Sequence, residues 1–260
     1  MVAARTVKGR ALDVTSFSFL LLIAAIFVVA GLVKGVIGMG LPTVAIGLLG
    51  LMMTPARAAA ILIVPSLISN IWQAAVGGHF RELLARLWPL FIGIAIGTAI
   101  GALYLPHSNS GGATIGLGAA LAVYALLGLF RIEFKVPPRH ERSIGFVCGI
   151  ATGAITVATG VFAIPLVPYV SGLHMDRHKL VQSLGLAFIS STVTLALALQ
   201  YAGEIHGALL TPSAVALIAV LAGMGLGQWL RGRIKPETFR LCFFIGLLAL
   251  GAHLALRSLL

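Results

Sequence analysis

The chain has 260 residues, of which 59% are hydrophobic and only 10% charged. Soluble domains carry about 25% charged residues, so this composition excludes a protein whose surface faces mainly water. The net charge of +11, from 18 Lys and Arg against 7 Asp and Glu, lacks the interleaved aromatics of a nucleic-acid platform. It suits basic loops beside an anionic leaflet.

The N-terminal tail, residues 1–16, carries Arg5, Lys8 and Arg10 ahead of an apolar run beginning at Phe17. A signal-peptide core is about 7–15 residues long. This run continues through Val33 into a glycine-rich segment that recurs later in the chain, so it reads as retained structure. Ten apolar segments follow in order, at 17–33, 35–53, 58–76, 87–105, 112–130, 143–158, 160–173, 180–202, 207–230 and 239–256. A spanning helix needs about 20 residues. Most segments meet that length; 143–158 and 160–173 are short, with Gly and Thr between them. Barrel strands alternate polar and apolar residues, and these continuous runs exclude them. Cys148 and Cys242 lie in apolar segments without metal-ligand spacing and are expected to pack as small hydrophobes.

A polar linker, 131–142, with Pro137-Pro138, divides the chain near its middle. It separates a first membrane repeat, 17–130, from a second, 143–260. Gly31-Leu-Val-Lys-Gly35 recurs as Gly149-Ile-Ala-Thr-Gly153, Gly40 as Gly160, and the ladder Gly93, Gly97, Gly101 as Ala219, Gly223, Gly227. Five membrane entries per half insert consecutive halves upside down, the inverted repeat of many carriers. With the linker in the cytoplasm, Arg81, Arg86, Arg131, Lys135, Arg139, Arg142, Arg177, Lys179, Arg231, Arg233, Lys235 and Arg240 all fall on that side, twelve of the 18 basic residues. The positive-inside rule asks for this. The same parity places the basic N-terminal tail outside, unless 17–33 and 35–53 together make one net crossing.

Polar groups interrupt the apolar pattern at a few places. In Lys34-Gly35-Val-Ile-Gly38-Met-Gly40-Leu-Pro42-Thr43, three glycines and a proline oppose a continuous helix. Freed amides and a half-helix N-terminus would offer donors to an anion. The second half answers with Thr152-Gly153, Thr156, Thr159-Gly160 and Pro165. Paired broken segments are the best sequence pointer to a carrier's binding site. Lys34 is the only charge between 17 and 53. It either marks an anion site or ends the first helix and snorkels to an interface. Segment 58–76 sets Ser66, Ser69/Asn70 and Gln73 on one face, and 180–202 carries Gln182, Ser183, Ser190, Ser191, Thr192 and Thr194, with Ser183, Ser190 and Thr194 sharing a face. Interhelical hydrogen bonding is the plain alternative for these groups; Asn70 and Gln182 suit a ligand best, because amides both donate and accept. Arg57 reads as an interface anchor or an anion guide. Trp72, Trp88 and Trp229 fit an aromatic belt. No Asp or Glu lies in mid-segment, and no HExxH or Walker A motif occurs. No catalytic residue, metal or cofactor is therefore expected.

These motifs, Gly31-Leu-Val-Lys-Gly-Val-Ile-Gly-Met-Gly40 with Pro42 and Gly149-Ile-Ala-Thr-Gly-Ala-Ile-Thr-Val-Ala-Thr-Gly160 with Pro165, resemble the TauE/SafE family of sulfite-exporter-like membrane proteins. Many members have a fuller Gly-Gly-Gly run in each broken segment; here the runs are Gly38-Met-Gly40 and a lone Gly160. The resemblance implies a bacterial inner-membrane carrier that moves sulfite, organosulfonates or related anions, often outward. The expectation is therefore an all-α polytopic membrane protein of two inverted repeats with broken or re-entrant helices, with about 8–10 membrane segments. Its midplane site would draw on Lys34, Gly38, Gly40, Thr43, Asn70, Gln73, Thr156, Thr159, Gly160, Gln182 and Ser183, with one half rocking against the other. A non-transporting scaffold subunit is the rival reading. The expected partners are a small anion and the lipid bilayer, with homo-oligomers allowed and no nucleic acid.

Overall fold

The structure is a computed structural model that describes residues 16–104, 110–132 and 134–257; the tail charges Arg5, Lys8 and Arg10 lie outside the described residues. Among the described residues ten α-helices form: α1 Phe17–Ile37, α2 Leu41–Leu49, α3 Pro55–Ala75, α4 Phe80–Tyr104, α5 Ser110–Leu129, α6 Glu141–Thr159, α7 Leu166–Ser171, α8 Arg177–Tyr201, α9 Leu210–Arg231 and α10 Pro236–Arg257. Among the described residues there is no strand. Eight helices, all except α2 and α7, are long and apolar enough to cross a bilayer.

Local chemistry sets the ends. Ser16 caps α1 by accepting the Phe19 N–H. Thr54 accepts the Arg57 N–H ahead of Pro55, a residue suited to a first helical turn. Asp176 caps α8 by accepting the Lys179 N–H at 3.0 Å; that backbone hydrogen bond holds its carboxyl below the usual carboxylate range. Gly38 and Gly160 end α1 and α6 in the left-handed region, at φ 89° and 76°. Each returns its N–H to the carbonyl four residues back, Lys34 or Thr156.

Three elements differ from the sequence expectation. The first helix does not break at Lys34-Gly35; it runs on to Ile37, because its packing partner lies beside Gly35. Segment 35–53 is not a spanning helix and holds only the nine-residue α2. Segment 143–158, short in the sequence, belongs to the 19-residue α6, which is long enough to span, whereas 160–173, also short, holds only the six-residue α7.

Contacts fix the helix directions. Lys34 meets Ser69 and Gln73 meets Gly38, so α1 and α3 run the same way. Residues 38–54 must then carry the chain back between them, with α2 supplying about 13 Å. In the second half, Lys179 meets Glu82 and Thr98 meets Thr194, which makes α8 parallel to α4. Arg86 pairs with Glu141 and Gly93 meets Gly149, which makes α6 parallel to α4 as well. Residues 160–176, with α7, are the matching return. By contrast, α3 and α8 are antiparallel, through Ser66–Thr192 and Gln73–Val181. So are α5 and α10, where Gly118 faces Gly251 and Gly128 faces Phe244. The chain thus passes ten times between two ends. One end gathers the Arg86–Glu141 and Lys179–Glu82 ion pairs, Arg131, Arg177, Arg231 and Arg240. It is called the basic end below.

The tightest packing joins one half of the chain to the other. Gly31 and Gly35 of α1 lie against the backbone of Val220, Met224 and Gly227 on α9; Gly149 and Gly153 of α6 lie in the same way against Leu90, Gly93, Ile94 and Gly97 on α4. A methyl group at any of these glycines would fall onto a carbonyl oxygen of the facing helix. Small residues are what allow backbones to approach this closely in lipid. The contacts pair Gly93 and Gly97 with Gly223 and Gly227 in role, since Leu90 lies over Gly149 as Val220 lies over Gly31. That match is one helical turn away from the one read in the sequence.

Gly97→Leu should therefore destabilise the detergent-solubilised protein by at least the ~1–3 kcal/mol of an overpacked core, read as a lower thermal midpoint or a lost monodisperse peak. Gly225→Leu is the control, because nothing lies within 4 Å of that position. Equal behaviour of the two variants would remove the packing argument.

Candidate functional site

Lys34 lies in the last turn of α1 and is only 3% exposed. Its side chain turns inward to α3 instead of extending to an interface. The ammonium donates to Ser69 Oγ at 3.0 Å and to Asn70 Oδ1. Asn70 Nδ2 donates to Ser66 Oγ at 3.1 Å, and Ser66 Oγ lies 3.0 Å from Thr192 Oγ1 on α8. The Thr192 hydroxyl donates to the Phe188 carbonyl at 2.7 Å, which leaves Ser66 as donor in the Ser66–Thr192 bond. Hydrogen bonds thus run in one direction, from Lys34 through Asn70 and Ser66 to Thr192. All five side chains are buried. Two of the three ammonium protons are engaged, and among the described residues no carboxylate pairs with Lys34.

Lys34 borders a chamber of about 350 Å³ that Gln73, Arg177, His178, Gln228 and Arg231 also line. Arg231, at the end of α9, donates from Nε to the Val36 carbonyl at 2.7 Å and so caps the end of α1. Gln73 donates to the Gly38 carbonyl at 3.1 Å and to the Val181 carbonyl at 2.7 Å, pinning the α1 break against α8. A larger cavity of about 660 Å³ lies on the other side of the α1 end, with Arg131, Arg177 and Arg240 on its walls.

Of the residues singled out in the sequence, Lys34, Gly38, Asn70 and Gln73 come together here. Gln182 is nearby, but its amide is occupied: Nε2 donates to the Ala74 carbonyl at 2.7 Å and Oε1 accepts the His79 N–H at 3.2 Å. Ser183 faces Met175 Sδ at 3.6 Å. Gly40 packs on Val33 and Phe243, and Thr43 is buried in the first turn of α2. Thr156, Thr159 and Gly160 lie at another depth. Gly160 rests on Ile46 and Ala59, and Ala59 is about 16 Å along α3 from Asn70 at 1.5 Å per residue. The hydroxyls of Thr156 and Thr159 donate to Thr152 and Ile155 carbonyls of their own helix, at 2.7 and 2.8 Å. The two breaks therefore do not meet at one point.

Arg177, His178, Gln228 and Arg231 were not singled out as site residues in the sequence. Arg177 and Arg231 have the signal of ordinary loop charges, and only the helix directions bring them to Lys34.

A multi-pass bundle whose chamber near the basic end is lined by Lys34, Arg177 and Arg231 fits a membrane transporter. The chain matches the family described as Sulfite exporter TauE/SafE over residues 22–254 and belongs to that family; it is a multi-pass membrane transporter. No curated protein and no solved structure matches it.

The chamber can be tested by access. With Cys148 and Cys242 replaced by serine, Gln228→Cys should react with a membrane-impermeant thiol reagent added at the basic face and not with reagent added opposite. Equal labelling from both faces, or from neither, would contradict a chamber open at that end.

Proposed function

We propose that the protein exports a small sulfur oxyanion, sulfite or an organosulfonate, from the cytoplasm across the bacterial inner membrane. The observation that carries this reading is Lys34: a buried ammonium that pairs with no carboxylate among the described residues, on the wall of a chamber shared with Arg177 and Arg231. An unpaired ion in a low-dielectric interior costs several kcal/mol. An entering anion offsets that cost by accepting the third ammonium proton in a charge-assisted hydrogen bond. The name of the family supports the sulfur chemistry, and the basic end supports a cytoplasmic opening under the positive-inside rule. Ser69 and Asn70 hold the ammonium in place, and Gln73 keeps the Gly38 turn beside it.

Two inverted repeats, 17–130 and 143–260, underlie alternating access in this reading, supported by the antiparallel pairing of α3 with α8 and of α5 with α10. The moving bodies we infer are not the sequence halves. Each close glycine crossing locks a helix of one half to a helix of the other. The pairs α1–α9 and α4–α6 then swing as units against the central α3 and α8, and the chamber closes inward as a path opens outward.

Lys34→Ala should lower sulfite flux in proteoliposomes by about tenfold or more, the scale of one charge-assisted hydrogen bond. Arg57→Ala, which lies at the start of α3, should leave flux near that of the wild type. Unchanged kinetics in Lys34→Ala would remove the assigned role of the lysine. Sulfite, sulfate, taurine and acetate flux no faster than in empty liposomes would remove the carrier reading and favour a scaffold.

A further inference from the structure

The last turn of α1 is a wall with a cavity on each face. Lys34, Gly35 and Gly38 face the smaller chamber, and Val36, Ile37 and Met39 face the larger cavity. Arg177 lines both. The larger cavity, of about 660 Å³, draws Arg131 from the end of α5, Arg177 from the start of α8 and Arg240 from the first turns of α10. His174, at φ 51°, joins them, its Nδ1 fixed 2.8 Å from the Gly172 carbonyl. Among the described residues Glu237 is the only carboxylate on these walls, and no carboxylate pairs with any of the three arginines. The remaining wall is largely apolar, including Tyr124, Phe243 and Phe244.

Resting on the proposed carrier function, we infer that this cavity is a second anion site, a vestibule that holds an oxyanion with a small apolar group before Arg177 passes it around the end of α1 to Lys34. Three guanidinium groups against one carboxylate concentrate anions at the entrance, and each planar fork can hold two oxygens of a sulfonate or sulfite. The aromatic wall accommodates an organic substituent. Arg177 is exposed, and its long side chain can pivot between the cavities. Lys34 has no such freedom because Ser69 and Asn70 hold it. The vestibule therefore selects for charge and the Lys34 site for fit.

The test is equilibrium binding of radiolabelled sulfite to the full chain in phosphatidylcholine nanodiscs, combined with flux. Two classes of site are expected in the wild-type protein. Arg131→Gln with Arg240→Gln should abolish the weaker class, leave the Lys34-dependent class within about twofold, and raise KM about tenfold with little change in kcat. Arg177→Gln should weaken both classes. Return of the weaker class in Arg131→Lys with Arg240→Lys would show that charge, not folding, was lost. A single class, abolished by Lys34→Ala and indifferent to the double Gln variant, overturns the vestibule while sparing the carrier. No binding in any form sinks the carrier reading itself. Adding phosphatidylglycerol separates a lipid headgroup from a free anion: loss of the weaker class to the lipid assigns the cavity to the headgroup and overturns the hand-off.

Discussion

The architecture depends on two backbone-to-backbone crossings, α1 on α9 and α6 on α4, where glycines meet carbonyl groups without intervening side chains. Lipid gives no hydrophobic reward for helix association, so close packing must supply it. Because each crossing joins one half of the chain to the other, the halves interlock and do not merely abut. This interlock carries α1 on past Gly35 to Ile37, places its end beside α3, and so sets where the first break falls. It also brings Arg231 to that end, where it caps the Val36 carbonyl.

The charge at the centre of the site follows from that placement. A lysine one turn before a glycine break would ordinarily reach for the interface. Here α3 presents Ser69 and Asn70 at the matching depth, and the ammonium takes them instead. Two neutral acceptors satisfy part of its hydrogen-bonding capacity without neutralising it. The same end of the molecule collects Arg131, Arg177, Arg231 and Arg240 around open space. The result is a positive interior at the basic end of the bundle. The carboxylates Glu82 and Glu141 are spent elsewhere, fastening α4 to α8 and to α6.

Much of this was legible in the chain. Continuous apolar runs and the absence of mid-segment acids define a helical membrane protein, and Gly31-x-x-x-Gly35 and Gly149-x-x-x-Gly153 both lie at close backbone crossings. The face carrying Ser66, Ser69, Asn70 and Gln73 was visible because helical spacing is a local property. The ten passages are countable and 160–173 reads as short, yet 35–53, which holds only α2, has the apolar length of a full span. Apolar length alone cannot distinguish a spanning helix from a short helix with irregular flanks buried in protein.

What the sequence determined by itself was its solvent, its glycine spacing and the presence of one lysine in an apolar stretch, because each follows from composition or near-neighbour spacing. Tertiary structure decided which groups share a depth. Gly38 and Gly160 look like partners in one broken-helix site, but opposite helix directions send them to different levels, while Arg177 and Arg231 come from remote turns to join Lys34. Depth in a bundle is set by the direction and packing of every helix between two residues, and no local pattern records that sum.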